Sequence, residues 1–272
     1  MRPVEEQTIL VTGATAGLGQ EVARQLAARG ATVLVHGRDS ERIEQTIGEL
    51  SHDTGSARLI PCRADLSSLR DVRSLAEEVS ERGRLHGLVN NAGVAIPGRS
   101  QSADGHELTF AVNYLAPFLL TQLLLPVLGD SSPARIVNVA SIGQAAVNFD
   151  DVMQEQGYDA MFAYSQSKLA LISFTFELAE RLRAQNEVGV TVNALHPATL
   201  MPTKMVLETF GRTVDSLEQG VEATLRLVID PELDEVSGTY FNGLEEAAAD
   251  SQAYYDEARR RLWELSEELC GL

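Results

Sequence analysis

The chain alternates short, almost wholly apolar runs with longer stretches whose apolar residues recur at helical spacing. Thr8-Ile9-Leu10-Val11 is the first run; it ends in glycines, and Val22, Ala23, Leu26 and Ala27 then share one face of a helix over Glu21 to Arg29. The unit repeats. Thr32 to His36 precedes a helix from about Ser40, and Leu59 to Arg63 precedes one opened by the capping-box-like Ser68-Leu69-Arg70-Asp71. Gly87 to Asn90, Arg135 to Val139 and Val190 to Leu195 are further apolar strands, each closed by a turn. Strands apolar at every position need cover on both faces. The alternation therefore predicts a parallel sheet between two helical layers, with right-handed crossovers: an α/β, doubly wound, three-layer α/β/α fold.

Gly238-Thr239-Tyr240-Phe241 reads as a last short strand, and Ser251 to Leu269 as a terminal helix, within about 250–270, with Trp263 as a packing anchor. The longest apolar tract, Leu115 to Leu128, is broken by Pro117, Thr121, Gln122 and Pro126 and reads as a buried helix; no stretch reaches about 18 consecutive apolar residues. No linker or repeat divides residues 1–272, so a single domain is expected. The irregular stretches, about 143–162 and 199–216, follow strand ends, where ligands bind in such sheets.

Composition narrows the function. With 22 basic against 39 acidic residues the formal charge is −17, so no basic stripe is available for nucleic acid or an anionic membrane. The start, Met1 to Gln7, carries no apolar run before a cleavage-like site, and a cytoplasmic location without a membrane anchor is expected. Cys62 and Cys270 lie far apart, have no metal-ligand spacing and read as free thiols; no metal site is expected.

Thr12-Gly13-Ala14-Thr15-Ala16-Gly17-Leu18-Gly19 lies between a strand and a helix, the context in which a glycine-rich turn is informative. Gly13 can turn the chain, Gly17 admits a pyrophosphate, and Gly19 permits close packing, with helix N–H groups facing the anion. The fold is thus of Rossmann type. Tyr164 and Lys168, four apart in Tyr164-Ser165-Gln166-Ser167-Lys168, share a helix face, and Ser141 lies upstream. An ammonium close to a phenol favours its ionised form, so Lys168 is expected to hold Tyr164 below its ordinary value and make it a usable base.

The glycine turn, Asp65-Leu66, Asn90-Asn91-Ala92-Gly93, Asn113, Ser141, Tyr164-x-x-x-Lys168 and His196-Pro197 occur in the order found in the short-chain dehydrogenase/reductase family, which the chain resembles throughout its length. The stretch Asn113 to Thr121 and the ending Leu262 to Leu269 further resemble the retinol-dehydrogenase-like branch. The resemblance implies an NAD(P)-dependent oxidoreductase interconverting a carbonyl and an alcohol. Tyr164 would be the general acid or base, Lys168 would tune it and bind the nicotinamide ribose, Ser141 would hold the substrate oxygen, and Asn113 would complete a proton relay. Gly13, Thr15, Ala16, Gly17, Leu18 and Gly19 would cradle the cofactor. Asp65 and Leu66 would meet the adenine, Asn90, Ala92 and Gly93 the ribose, and Asn91 would brace the strands.

Cofactor choice turns on His36-Gly37-Arg38-Asp39. Gly37 offers no carboxylate to a ribose 2′-hydroxyl, and Arg38 suits a 2′-phosphate, so NADP(H) is favoured over NAD(H). Against it stand Ala16, where relatives often carry a second basic residue, and Asp39, which could serve the hydroxyl. His196-Pro197-Ala198 replaces the family's usual Pro-Gly; Pro197, Thr199 and Thr203 are expected on the cofactor, with Thr203 the candidate for the carboxamide and Thr199 its rival. His196 itself reads as a structural strand-end residue. The 23 residues from Ser141 to Tyr164 exceed the family's spacing. Phe149, Met153, Tyr158, Met161 and Phe162 in that loop either line an apolar substrate pocket or pack the loop down. A small or medium, hydrophobic substrate is expected, and the family implies a homodimer or homotetramer through the helices starting near Glu107 and Ala163. Alternatives are a non-redox tailoring enzyme (dehydration, cyclisation or epimerisation) and a dinucleotide-sensing binding protein.

Overall fold

The computed structural model describes residues 2–185, 189–203, 206–208 and 211–272. Seven parallel strands, β1 (Thr8–Val11), β2 (Thr32–Gly37), β3 (Leu59–Arg63), β4 (Gly87–Asn90), β5 (Ala134–Val139), β6 (Val190–His196) and β7 (Tyr240–Asn242), are joined by an antiparallel β8 (Glu245–Glu246). Their order is β3-β2-β1-β4-β5-β6-β7-β8. The chain winds outward from β1 to β3, then returns to pair β4 with the other side of β1. The reversal opens a crevice at the carboxyl ends of β1 and β4, where an open α/β sheet binds ligands.

Alternation along each strand divides the core. Ile9, Val11, Val33, Val35 and Val89 face α1 (Gly17–Ala28), α2 (Ser40–Thr54) and α6 (Leu217–Ile229). Leu10, Leu34, Cys62, Leu88 and Ile136 face α3 (Leu69–Glu81), α4 (Leu108–Asp130) and α5 (Ala160–Ala184). Both sets are buried, which is why the strands read as continuously apolar. Asp39, Ser68 and Asp159 cap α2, α3 and α5 by accepting the amides of Arg42, Asp71 and Phe162. Helix α1 starts four residues before the apolar periodicity predicts, because the glycine turn runs directly into its first turn.

Helix α4 is long and apolar enough to cross a membrane, yet 78% of its apolar window is buried within the protein. Within it, Ala111–Leu115 widens into a π turn that carries Asn113. Over α4 and α5 lies α7 (Asp256–Cys270), whose Trp263 meets Phe118 edge-on with ring centroids 5.2 Å apart and Phe174 at 5.8 Å. The Arg181 guanidinium sits 3.9 Å from the Trp263 ring, and Tyr114 Oη and Ser266 Oγ are 2.7 Å apart. Buried Arg259 completes the clamp, reaching Glu177 and Glu180 on α5. Consequently α5 is buried on nearly every side from Ala163 to Ala179.

Trp263→Ala removes the ring on which α4, α5 and α7 converge. It is expected to cost about 3–5 kcal/mol and lower Tm by roughly 10 °C in a thermal melt; an unchanged Tm would mean that α7 does not brace the two helices.

Candidate active site

The glycine turn is fixed from three sides. Gly13 and Gly17 take φ of +65° and +55°, values that favour glycine. Thr12 Oγ1 accepts the amides of Asn91 (2.9 Å) and Ala92 (3.0 Å) while donating to the Val89 carbonyl at 3.2 Å. Asn91 Nδ2 donates to the carbonyls of Thr12 (2.7 Å) and Gly13 (3.3 Å), so this side chain braces β1 against β4. A Cβ on Gly19 would stand 2.3 Å from Asn91 Nδ2 and 2.5 Å from the Gly13 carbonyl oxygen, so only glycine fits. A Cβ on Gly37 would stand 2.7 Å from Thr15 Cγ2, so the position that lacks a carboxylate also makes room for the turn. Ala16 provides no side-chain cap for α1, which leaves the first amides of that helix without a side-chain acceptor.

A cleft of about 700 Å³ runs from this turn along the carboxyl edge of the sheet. Of the sequence-predicted residues, all line it except Asn90 and Asn113. Asn90 does not present its side chain to the cleft. Its side chain is buried behind the cleft, donating to Asn138 Oδ1 (2.8 Å) and Thr121 Oγ1 (3.1 Å), because strand parity turns it into the core. Asn113 lies just beneath the surface: Nδ2 donates to the Val94 carbonyl (2.9 Å) and Ser167 Oγ (3.0 Å), and Oδ1 accepts the Val94 amide (2.8 Å). Gly93 sits above it, where a Cβ would meet Asn113 Oδ1 and Lys168 Nζ, each at 3.4 Å.

At the opposite end Ser141, Tyr164 and Lys168 share one wall. Ser141 Oγ accepts the Gly143 amide at 3.0 Å, which leaves its own hydrogen for another acceptor. The Ser141 carbonyl is held by Tyr240 Oη (3.0 Å) and Gln144 Nε2 (3.0 Å). Neither Tyr240 nor Gln144 carries a sequence signal, since the first reads as a strand residue and the second as loop. Lys168 Nζ lies 5.6 Å from the Tyr164 ring centroid and donates to the Val139 carbonyl at 2.8 Å.

The expected lowering of the phenol does not occur in this arrangement. Burial raises Tyr164 above its ordinary value, and hydrogen bonding with Ser141 offsets only part of that. Lys168 is itself lowered to about 8 by burial and donates to the Val139 carbonyl, with Nζ 5.6 Å from the Tyr164 ring centroid. Tyr164 is thus protonated at neutral pH, the state of a proton donor.

Asp39 accepts the Arg42 amide at 2.9 Å as the cap of α2, whereas Arg38 lines the cleft. Thr199 Oγ1 contacts His196 Nε2 at 3.1 Å, and the Thr199 amide donates to Asp215 at 2.6 Å. Thr203 faces the turn, its Cγ2 only 3.2 Å from where a Gly17 Cβ would be. Lys204, Met205, Thr209 and Phe210 of the expected substrate segment lie outside the described residues. Gly143 in the loop before α5 and Met161 in the first turn of α5 line the cleft, Phe149 and Met153 pack on the core, and Tyr158 Oη donates to the Ile96 carbonyl at 2.7 Å. The segment is therefore mostly wall, with Gly143 and Met161 on the cleft.

The short chain dehydrogenase family model matches residues 7–212, and the chain belongs to that family of oxidoreductases. Within it the chain falls in the retinol-dehydrogenase-like branch. It is 37% identical to retinol dehydrogenase 12 of Mus musculus, over 98% of this chain and 87% of the relative, and 38% identical to retinol dehydrogenase 13 of Homo sapiens, over 98% and 85%. Among solved structures, an uncharacterised protein of Mycobacterium paratuberculosis superposes with a TM-score of 0.81 at 29% identity, covering 98% of this chain and 94% of its own. A short chain dehydrogenase of Shigella flexneri complexed with NADP gives a TM-score of 0.71 at 27% identity, over 88% and 98%.

Burial lowers both His36 and His196 from 6.5 to about 4. The unfolded chain therefore takes up protons first, so this stabilisation is complete above pH 6.5 and is lost as pH falls toward 4. For His36 the full difference is about 3 kcal/mol. Urea unfolding at pH 7 and pH 5 is expected to give a lower midpoint at pH 5, with a smaller pH difference in His36→Asn; an equal difference in the variant would show that His36 is not buried as the neutral form.

Proposed function

We propose that the protein is an NADP(H)-dependent oxidoreductase that interconverts a carbonyl and an alcohol on a small or medium-sized apolar substrate. The observation that carries this reading is the convergence of Tyr164, Ser141 and Lys168 at one end of a cleft whose other end is a glycine cradle. The uncapped α1 terminus suits a pyrophosphate, and Asp65 and Leu66 lie on the cleft where an adenine would follow. Arg38 supports NADP(H): it lines the cleft, whereas Asp39 does not and caps α2 with one carboxylate oxygen. The NADP-bound structural relative adds support.

Bound NADPH supplies a hydride to a carbonyl carbon. Tyr164 Oη gives its proton to the oxygen as negative charge develops there, and the Ser141 hydroxyl donates a hydrogen bond to the same oxygen. Lys168 and Asn113, both within reach of a Cβ at Gly93, lie together at the inner end of the site, where a relay that reprotonates Tyr164 would begin. Around the reacting end the lining is apolar: Val94, Ile96, Leu108, Val112, Ile142 and Met161. Among the described residues this lining carries no charge apart from Lys168, and it favours hydrophobic aldehydes and ketones. Because α7 covers the outward side of α5, the homodimer or homotetramer contact expected through α4 and α5 has little free surface on that side.

Tyr164→Phe keeps the ring and removes the proton. Turnover across a panel of hydrophobic carbonyls is expected to fall by roughly 10²–10⁴-fold, with NADPH affinity preserved in a fluorescence titration; full activity in the variant would overturn the reading. Arg38→Leu is expected to weaken NADP(H) about 10- to 100-fold, the scale of one or two charge-assisted hydrogen bonds, and to leave NAD(H) nearly unchanged. Equal losses for the two cofactors would remove Arg38 from the 2′-phosphate.

A further inference from the structure

We propose that His36 is a positioning residue for the dinucleotide, its imidazole setting the direction of the Gly13 amide and with it the shape of the turn that receives the pyrophosphate. The inference rests on the reading of the cleft as an NADP(H) site. Two consecutive amides of the turn end on this one residue: Gly13 donates to His36 Nδ1 at 3.1 Å, and Ala14 donates to the His36 carbonyl at 2.8 Å. The second contact is available to any residue at the end of β2. The first requires a side-chain acceptor, which an apolar strand residue lacks.

With Nδ1 accepting, a neutral imidazole carries its proton on Nε2. That atom is buried and makes no well-aligned hydrogen bond among the described residues, the ring's other polar contact being a weak one to the Ala64 backbone. Leu34 and Cys62 nearby are fully buried, and Ala64 nearly so, so an apolar side chain would suit the position and would leave no donor unpaired. The strand thus carries a poorly paired polar atom beside the cleft, and the observed return is the bond to Gly13. Gly13 takes a positive φ, and its carbonyl is held by Asn91 Nδ2 from the β4 side. His36 fixes the same peptide unit's neighbour from the β2 side. With both held, the turn is set before the ligand arrives, and ordering it costs the ligand nothing on binding.

The test is NADPH binding by fluorescence titration, with Tm measured in parallel, on wild type, His36→Leu and His36→Asn. Leucine fills the position but offers no acceptor, so affinity is expected to fall about 10-fold while Tm stays within a few degrees, since one poorly paired donor is removed and the freed Gly13 amide lies on the cleft. Asparagine returns an acceptor near the Nδ1 position and is expected to recover most of the affinity. Wild-type affinity in the leucine variant, or an asparagine variant as weak as leucine, would overturn the role; if leucine does not fold, His36→Val supplies the same comparison. Failure of the wild-type protein to bind either NADPH or NADH would instead sink the cofactor reading itself.

Discussion

The bond between Thr12 and the backbone of Asn91 and Ala92 is the constraint on which the rest of the site depends. Strand order reverses at β1 and β4, so beyond the Val11–Val89 pair and the bond from the Thr12 amide to the Val89 carbonyl the chain leaves these two neighbours in opposite directions. Thr12 Oγ1 takes both amides beyond β4, and Asn91 Nδ2 returns the contact to the carbonyls beyond β1. The crevice is thereby kept at a fixed width. Gly19 must be glycine because α1 then packs against the Asn91 amide, and the helix terminus ends up aimed into the crevice it borders.

From that point the electrostatics of the reacting end follow from burial. Tyr164 and Lys168 share a helix face as their spacing requires, yet a shared face does not place an ammonium at a phenol hydroxyl. Nζ lies 5.6 Å from the ring centroid and is bound to the Val139 carbonyl, and low exposure disfavours the charged form of both groups. The phenol stays protonated. A protonated phenol beside a serine hydroxyl is arranged to stabilise negative charge on an oxygen.

The strands, the helices and the glycine cradle were legible because period-2 and period-3.6 patterns and positive-φ positions leave direct marks in sequence. Asp39 shows the limit: in sequence it reads only as a competitor for a ribose hydroxyl, and its bond to the Arg42 amide, three residues on, is visible only in the structure. Asn90 shows another. A polar residue at a strand end near a cofactor motif reads as a ligand contact, but parity sends its side chain inward, and parity is clear only once the strand's register is known. The π turn holding Asn113 has no sequence mark at all, since its extra residue is absorbed in an apolar run. Tyr240 and Gln144 act on Ser141 from 99 and 3 residues away through a single carbonyl oxygen, a contact that no spacing encodes.

The displacement of Asn90 from the cleft gives it different work. Its Nδ2 bonds Asn138 on β5 and Thr121 on α4, Asn138 Nδ2 bonds Thr175 on α5, and Thr175 Oγ1 bonds the Leu171 carbonyl. All of these groups are buried, so sliding any one element would leave polar atoms unpaired in an apolar layer. The four elements joined in this way are those that lead to Gly93, Ser141, Asn113 and the Tyr164-Lys168 pair. Apolar packing alone tolerates small shifts between a helix and a sheet, and shifts of that size would spoil hydrogen bonds at the reacting oxygen. A buried chain of directional bonds does not tolerate them. The polar layer behind the cleft therefore fixes the distances that the residues within it need.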